Sequence, residues 1–240
     1  MAQRGTSSTG VTGSGYFAAD RFRLGLDSQG THTITQASDG PAGFAKSYKI
    51  EVTTADAAPT AGDNFGLDQR FEGQNLQMLK KGTADAGSVT LSFWVKSNKT
   101  GTYNVEFEDI TNARNIIGTY TVDVSGTWEY KTITFAGDTS GALIADSSLR
   151  VRVLWWLGSG STFSSGTRNT SWAATVNANR AVGNVNLADT IGNYWQITGI
   201  QLEVGDTSTP FENRSYGQEL ALCQRYFERV NKTTNASIAT

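Results

Sequence analysis

Three carboxylates crowd the stretch VEFEDI, at Glu106, Glu108 and Asp109. Two carboxyl groups facing one cleft can hydrolyse a glycosidic bond, one as acid and the other as nucleophile or base. The same three side chains could begin a calcium site if further oxygens converged from other segments. The alternation around them supports a plainer reading. Val105 and Phe107 point to one face of a strand, and Glu106 and Glu108 point to the other, a solvated outer face. The single histidine, His32, has no second histidine to share a metal. There is no CxxC, no GxSxG elbow, no P-loop and no dinucleotide fingerprint. No enzyme is named on this basis, and no cofactor is expected.

Tryptophans are the other residues that could do recognition chemistry. Sugars bind protein by stacking on aromatic ring faces while polar groups fix the hydroxyls. Trp94, Trp156 and Trp172 are the glycan-stacking candidates. Trp155 and Trp156 are adjacent in a strand, so they point to opposite sides of the sheet. Val151 and Val153 share a face with Trp155, which assigns it to the core. Arg150 and Arg152 share a face with Trp156, placing it outside or under a loop. Trp94 lies on the face of Ser92 and Lys96. The competing reading is that these rings are covered, by a long loop or by a neighbouring subunit.

The elements that must position these residues are strands. The chain has 240 residues, of which 26 are glycine and 3 proline; with abundant Thr, Ser and Asn this is a strand-and-turn composition. Period-two alternation runs through DRFRLGL, KSYKIEV, SVTLSFWVK, YNVEFED, WEYKTITF, LRVRVLWWLG and YWQITGIQLEVG. Turn clusters such as DGPAG, TAGDN, SNKTG and AGDTSG separate them. Two packed antiparallel sheets are the natural solution. A net charge of −2 with no basic tract gives no electrostatic case for nucleic acid. The longest apolar run, VLWWL, is far too short for membrane insertion. No signal peptide is read at the N-terminus, and one cysteine excludes an intrachain disulfide.

The expected organisation is a flexible polar arm over 1–15, a sandwich over 16–214, a helix over 215–230 and a polar tail over 231–240. Within the sandwich, residues 158–193 form a long Gly/Ser/Asn-rich loop with Trp172 as an anchor. For the helix, Ser215 and Gln218 fit a capping box. Leu220, Cys223, Phe227 and Val230 then form an apolar stripe, with Leu222 and Tyr226 beside it. That stripe packs on its own sandwich or against a neighbouring subunit, and Cys223 serves as a small buried hydrophobe.

Three strings carry a resemblance: AQRGTSSTG with YFAADRF; SVTLSFWVKSNKTGTYNVEF with GTWEYKTITF; and YWQITGIQLEVGDTSTPFENRSYGQELALCQRYF. From about Ala2 to Phe227 the chain resembles a family of phage virion proteins. The middle strings are similar to carbohydrate-binding-module jelly rolls. The resemblance implies an all-β jelly-roll sandwich, and a tail-fibre or receptor-binding protein that contacts host surface glycan. A capsid decoration or cement protein, or a head fibre, is the alternative; a glycan hydrolase ranks last. Relatives carry a shaft-like stretch before the AQRGT segment. This chain opens almost on it, so a short fibre tip or a protein docked directly on the particle is expected. Made in the host cytoplasm, it would reside on the virion surface as a homotrimer, held to a tail protein or the major capsid protein.

Overall fold

The structure is a computed structural model that describes residues 1–229. Its strands are β1 (Ser7–Val11), β2 (Gly15–Tyr16), β3 (Phe22–Asp27), β4 (Thr31–Ala37), β5 (Ser47–Thr54), β6 (Asn64–Glu72), β7 (Val89–Ser97), β8 (Gly101–Asp109), β9 (Arg114–Val122), β10 (Glu129–Phe135), β11 (Leu149–Ser159), β12 (Ala173–Ala174) and β13 (Tyr194–Val204). Two helices, α1 (Ser161–Ser164) and α2 (Tyr216–Gln224), lie late in the chain. Sheet one has the order β1-β4-β5-β13-β7-β10 and sheet two the order β12-β9-β8-β11-β6-β3-β2. Neighbouring strands pair antiparallel, and the chain crosses repeatedly between the sheets. The fold is an all-β jelly-roll sandwich with a short C-terminal helix.

The core follows from the alternation. Leu91, Phe93 and Val95 of β7 face Val105 and Phe107 of β8 and Val153 and Trp155 of β11, all buried. Phe93 stands edge-on to both Trp155 and Tyr120, with centroids 5.9 and 5.1 Å away. Trp195 donates its Nε1–H to the Tyr120 hydroxyl at 2.9 Å, so its polar edge is satisfied inside the core.

The N-terminus departs from expectation. Residues 1–15 are not a free arm. Ser7 and Ser8 pair with Thr35 and Ile34, and Val11 pairs with His32 and is buried. Further back, the Gln3 amide donates to Asp20 at 2.9 Å, and the Met1 carbonyl accepts from the Asp20 amide at 3.0 Å. An edge strand takes its order from backbone pairing, so polar side chains leave no apolar alternation to read. The 158–193 stretch is built rather than loose: after β11 it forms α1, β12 and short turns laid across sheet two.

The helix is shorter than 215–230. Ser215 caps it as expected: the Gln218 amide donates to Ser215 Oγ and the Ser215 amide to Gln218 Oε1. It stops at Gln224, where the Tyr226 and Phe227 amides both turn onto the Cys223 carbonyl. Contacts to the sandwich hold that turn. Arg225 pairs with Glu72 at 2.8 Å, Arg4 lies 3.5 Å over the Phe227 ring, and Gln3 Nε2 donates to the Phe227 carbonyl at 2.8 Å. Cys223 is buried, and Leu220 and Phe227 are half-buried. Within the described residues, Cys223 and Phe227 of the stripe therefore pack on the chain's own sandwich and N-terminal segment. Val230 and the 231–240 tail lie outside the described residues.

Candidate functional site

The two sheets have outer faces of different character. On sheet two Glu106 and Glu108 of VEFEDI do point outward from the core, but they are not solvated. The 160–181 segment covers them and brings in Arg180, whose Nε donates to Glu106 at 3.0 Å and whose Nη2 donates to Glu108 at 3.2 Å. Glu106 also accepts from Asn115 Nδ2 at 2.8 Å and from Trp156 Nε1 at 3.0 Å. Arg152, beside Glu108 on the next strand, donates to it from Nε at 2.8 Å. Burial pushes the Glu106 carboxyl above the usual range despite Arg180. Burial also works against the Arg152 charge, yet Glu108 and Glu106 more than offset it and raise its pKa.

Trp156 is therefore not a platform. Only 3% exposed, it packs with Phe163, centroids 5.4 Å apart, and with Leu154 and Ala181. The alternation places it on the outer face, and the 160–181 segment closes over it. Beside it a bowl of about 320 Å³ is floored by the cross-strand pair Gly25 and Gly66. In its lining Asp68 pairs with Arg23 at 3.3 Å, and Asp68 also holds Arg70 at 2.8 Å.

Asp109 ends β8 and faces the opposite way, into a cage around Lys81. The Lys81 ammonium, 4% exposed, lies 2.5 Å from Asp109 and 3.0 Å from Asp138. It donates to the Ser140 and Gly141 carbonyls at 2.9 and 2.8 Å. The calcium reading of Glu106, Glu108 and Asp109 fails on this arrangement, because protein cations already hold the three carboxylates and they face different ways. Among the described residues no group of three or more His, Cys, Asp or Glu is placed to hold a metal. Trp172 is engaged as well. Its ring lies against Phe107 and under the Lys81 ammonium, and its Nε1 donates to the Ala136 carbonyl at 2.6 Å.

On sheet one the picture reverses. Trp94 sits between its cross-strand neighbours Tyr130 of β10 and Thr198 of β13. Its ring lies 5.3 Å from that of Tyr130. Next to Thr198 is Gly199, at φ +59°, where β13 shifts register. A Cβ there would meet the Phe44 ring at 2.8 Å and Trp94 at 3.2 Å. Only glycine lets these two rings close over the strand at that conformation. Phe44 in turn meets Phe211 edge-on at 5.0 Å. The result is a continuous aromatic strip, Tyr130–Trp94–Phe44–Phe211, across the outer face. Tyr130 is 44% and Phe211 39% exposed. Alongside, Lys96 Nζ and Trp128 Nε1 both donate to Asp39, at 2.9 and 3.2 Å, and the Lys96 bond depresses the Asp39 pKa. Of the three tryptophans that the sequence singles out, Trp94 alone keeps a place on an open aromatic surface. Its partners were missed because Phe44 and Phe211 come from turns without periodicity.

No family model matches the chain, and no curated protein matches it. Solved structures do. The enzymatically active domain of bacteriophage CBA120 tailspike protein 4 is 16% identical, with a TM-score of 0.43, over 82% of this chain and 21% of that one. The chain thus spans about a fifth of the tailspike chain's length. A putative sugar binding protein from Bacteroides thetaiotaomicron is 12% identical, with a TM-score of 0.42, over 83% and 95% of the two chains. The family 11 carbohydrate-binding module from Clostridium thermocellum, in complex with a mixed-linked tetrasaccharide, is 10% identical, with a TM-score of 0.40, over 85% and 98%.

Proposed function

We propose that this protein is a structural component of a bacteriophage virion that contacts host surface glycan through the strip on sheet one. The observation that carries the binding chemistry is the run Tyr130–Trp94–Phe44–Phe211, exposed at both ends and flanked by Lys96, Asp39 and Thr198. Ring faces take the apolar faces of sugar rings, and the flanking polar groups take hydroxyls. The virion reading rests on the three sequence strings. Within it, a tail-fibre or receptor-binding role suits a glycan-facing strip, and a homotrimer would multiply weak single-site affinity. The protein binds and does not cleave. Glu106 and Glu108, the only carboxylate pair that the sequence suggests for hydrolysis, are bonded to Arg180 and Arg152 beneath a covering segment.

The experiment is a glycan array on the purified protein, paired with gold-labelled antibody on intact virions. Binding that is lost in Trp94→Ala and Tyr130→Ala, with label at the tail end, is the expected result. Label spread over the head would overturn the tail-fibre role in favour of capsid decoration. Binding that survives both substitutions would overturn the strip.

A further inference from the structure

A further concavity lies on neither of the outer faces. It opens at the end of the sandwich where the sheets part. β5 begins at Ser47, and its final pair with β13 is Tyr48 with Ile197. Beyond that point β13 pairs with β7 alone, from Thr198 to Val204. The chain returns past this free edge over Thr209–Arg214 and is fastened by side chains: Gln201 Oε1 accepts from the Glu212 amide at 2.8 Å, and Glu203 accepts from the Thr209 amide at 3.0 Å. A groove of about 950 Å³ is left between β13 and sheet two. Phe22 and Phe71 line it from sheet two, Ile200 from β13, and Gln36, Gln69 and Tyr48 add polar ends.

Tyr48 is the informative residue. It is 7% exposed and belongs to the core cluster, yet its hydroxyl has no hydrogen-bond partner among the described residues. A buried, unpaired hydroxyl destabilises a fold unless something else satisfies it. Here it borders a cavity roomy enough for a ligand, beside two primary amides and two phenyl rings. Seven charged residues of both signs, Asp20 and Arg21 among them, also line the groove, and aromatic faces beside such donors and acceptors suit a hydroxyl-bearing ring.

We infer that the inter-sheet groove is a second saccharide site, in which a single neutral pyranose lies against Phe22 and Phe71 and a sugar hydroxyl bonds the Tyr48 hydroxyl. The ligand class rests on the glycan-binding reading above; Phe211, Thr198 and Gly199 border both places, while Phe22, Phe71, Gln69 and Tyr48 belong to the groove alone. Burial raises the Tyr48 pKa well above its ordinary value, so the phenol keeps its proton and remains a donor at neutral pH.

The test is amide and side-chain NMR of the full chain, titrated with the methyl glycosides of glucose, galactose, mannose and N-acetylglucosamine. At least one should shift the Tyr48, Phe22 and Gln69 amides. Tyr48→Phe should weaken that binding at least tenfold while raising the melting temperature, because it deletes an unsatisfied hydroxyl and nothing else. A merely structural tyrosine would not produce that opposition. Gln69→Ala serves as a second variant, also expected to weaken binding. Shifts confined to Trp94 and Tyr130 would overturn the groove and leave the strip standing. Shifts at the groove that survive in Tyr48→Phe would overturn the hydroxyl contact, and silence at both places would overturn both readings.

Discussion

Replacing Lys81 by methionine should be among the most damaging single changes in the molecule. The side chain keeps its length and loses its charge. In the native protein the ammonium touches Asp109 at 2.5 Å, Asp138 at 3.0 Å and two backbone carbonyls, with almost no access to water. Asp138 would retain Arg114, bonded through Nε and Nη2 at 2.8 and 2.9 Å. Asp109 would keep only Asn112, whose amide donates at 3.1 Å and whose Nδ2 donates at 2.7 Å. Removing one partner from a buried ion pair costs about 3 to 5 kcal/mol, because the remaining charge stays buried. With a urea m-value of about 3 kcal/mol/M, the unfolding midpoint should fall by about 1 to 1.7 M. Urea denaturation followed by tryptophan fluorescence measures it. Adding Asp109→Asn to the variant should recover part of the loss, since the stranded charge is then gone. A loss below about 1 kcal/mol, or a double variant worse than the sum of its parts, would refute the reasoning.

Arg180→Ala should unfasten the segment over sheet two. Limited proteolysis should then cut within 160–190, and Trp156 emission should shift to the red as its cover lifts, with a stability loss of about 3 to 5 kcal/mol. Acid should weaken the protein through Asp138. Burial opposes its charge, but Arg114 and Lys81 outweigh that and hold its carboxyl below the ordinary value of 3.8. A depressed native pKa contributes stability that is present above the unfolded value and lost as the pH falls through the native one. Urea midpoints below about pH 4 should therefore drop more steeply in the parent than in Asp138→Asn. Ser215→Ala should cost about 1 kcal/mol by removing the cap of α2, read as an earlier loss of helical circular dichroism.

The strands were legible because one face of each is apolar, and β7, β8 and β11 could be placed residue by residue. What lies on the other face was not. Alternation correctly sends Glu106, Glu108 and Trp156 away from the core, yet the residue that decides their burial, Arg180, is more than 70 positions downstream of Glu106. Its own neighbourhood, VNANRAVGN, has no pattern that announces a lid. Edge strand β1 escaped notice because SSTGV buries only Val11. The strip at Trp94 was half visible. The tryptophan and Tyr130 sit on strands of clear period, whereas Phe44 meets Trp94 only because Gly199 turns β13 beneath both rings, and Phe211 joins through Phe44. The helix cap is a local motif and was readable; the helix end is set by Glu72 and Arg4, which are remote in sequence, and was not.

The position of β13 imposes an order on folding. It lies between β5 and β7, and bonds such as Ser47 to Gln196 join residues 149 positions apart. Until residues 194–204 have left the ribosome, sheet one is two separate pieces with facing unpaired edges. Such edges recruit other chains as readily as their own. A nascent polypeptide truncated before Tyr194 should therefore aggregate where the finished chain does not, and closure of that central gap, with its large sequence separation, should set the pace of folding.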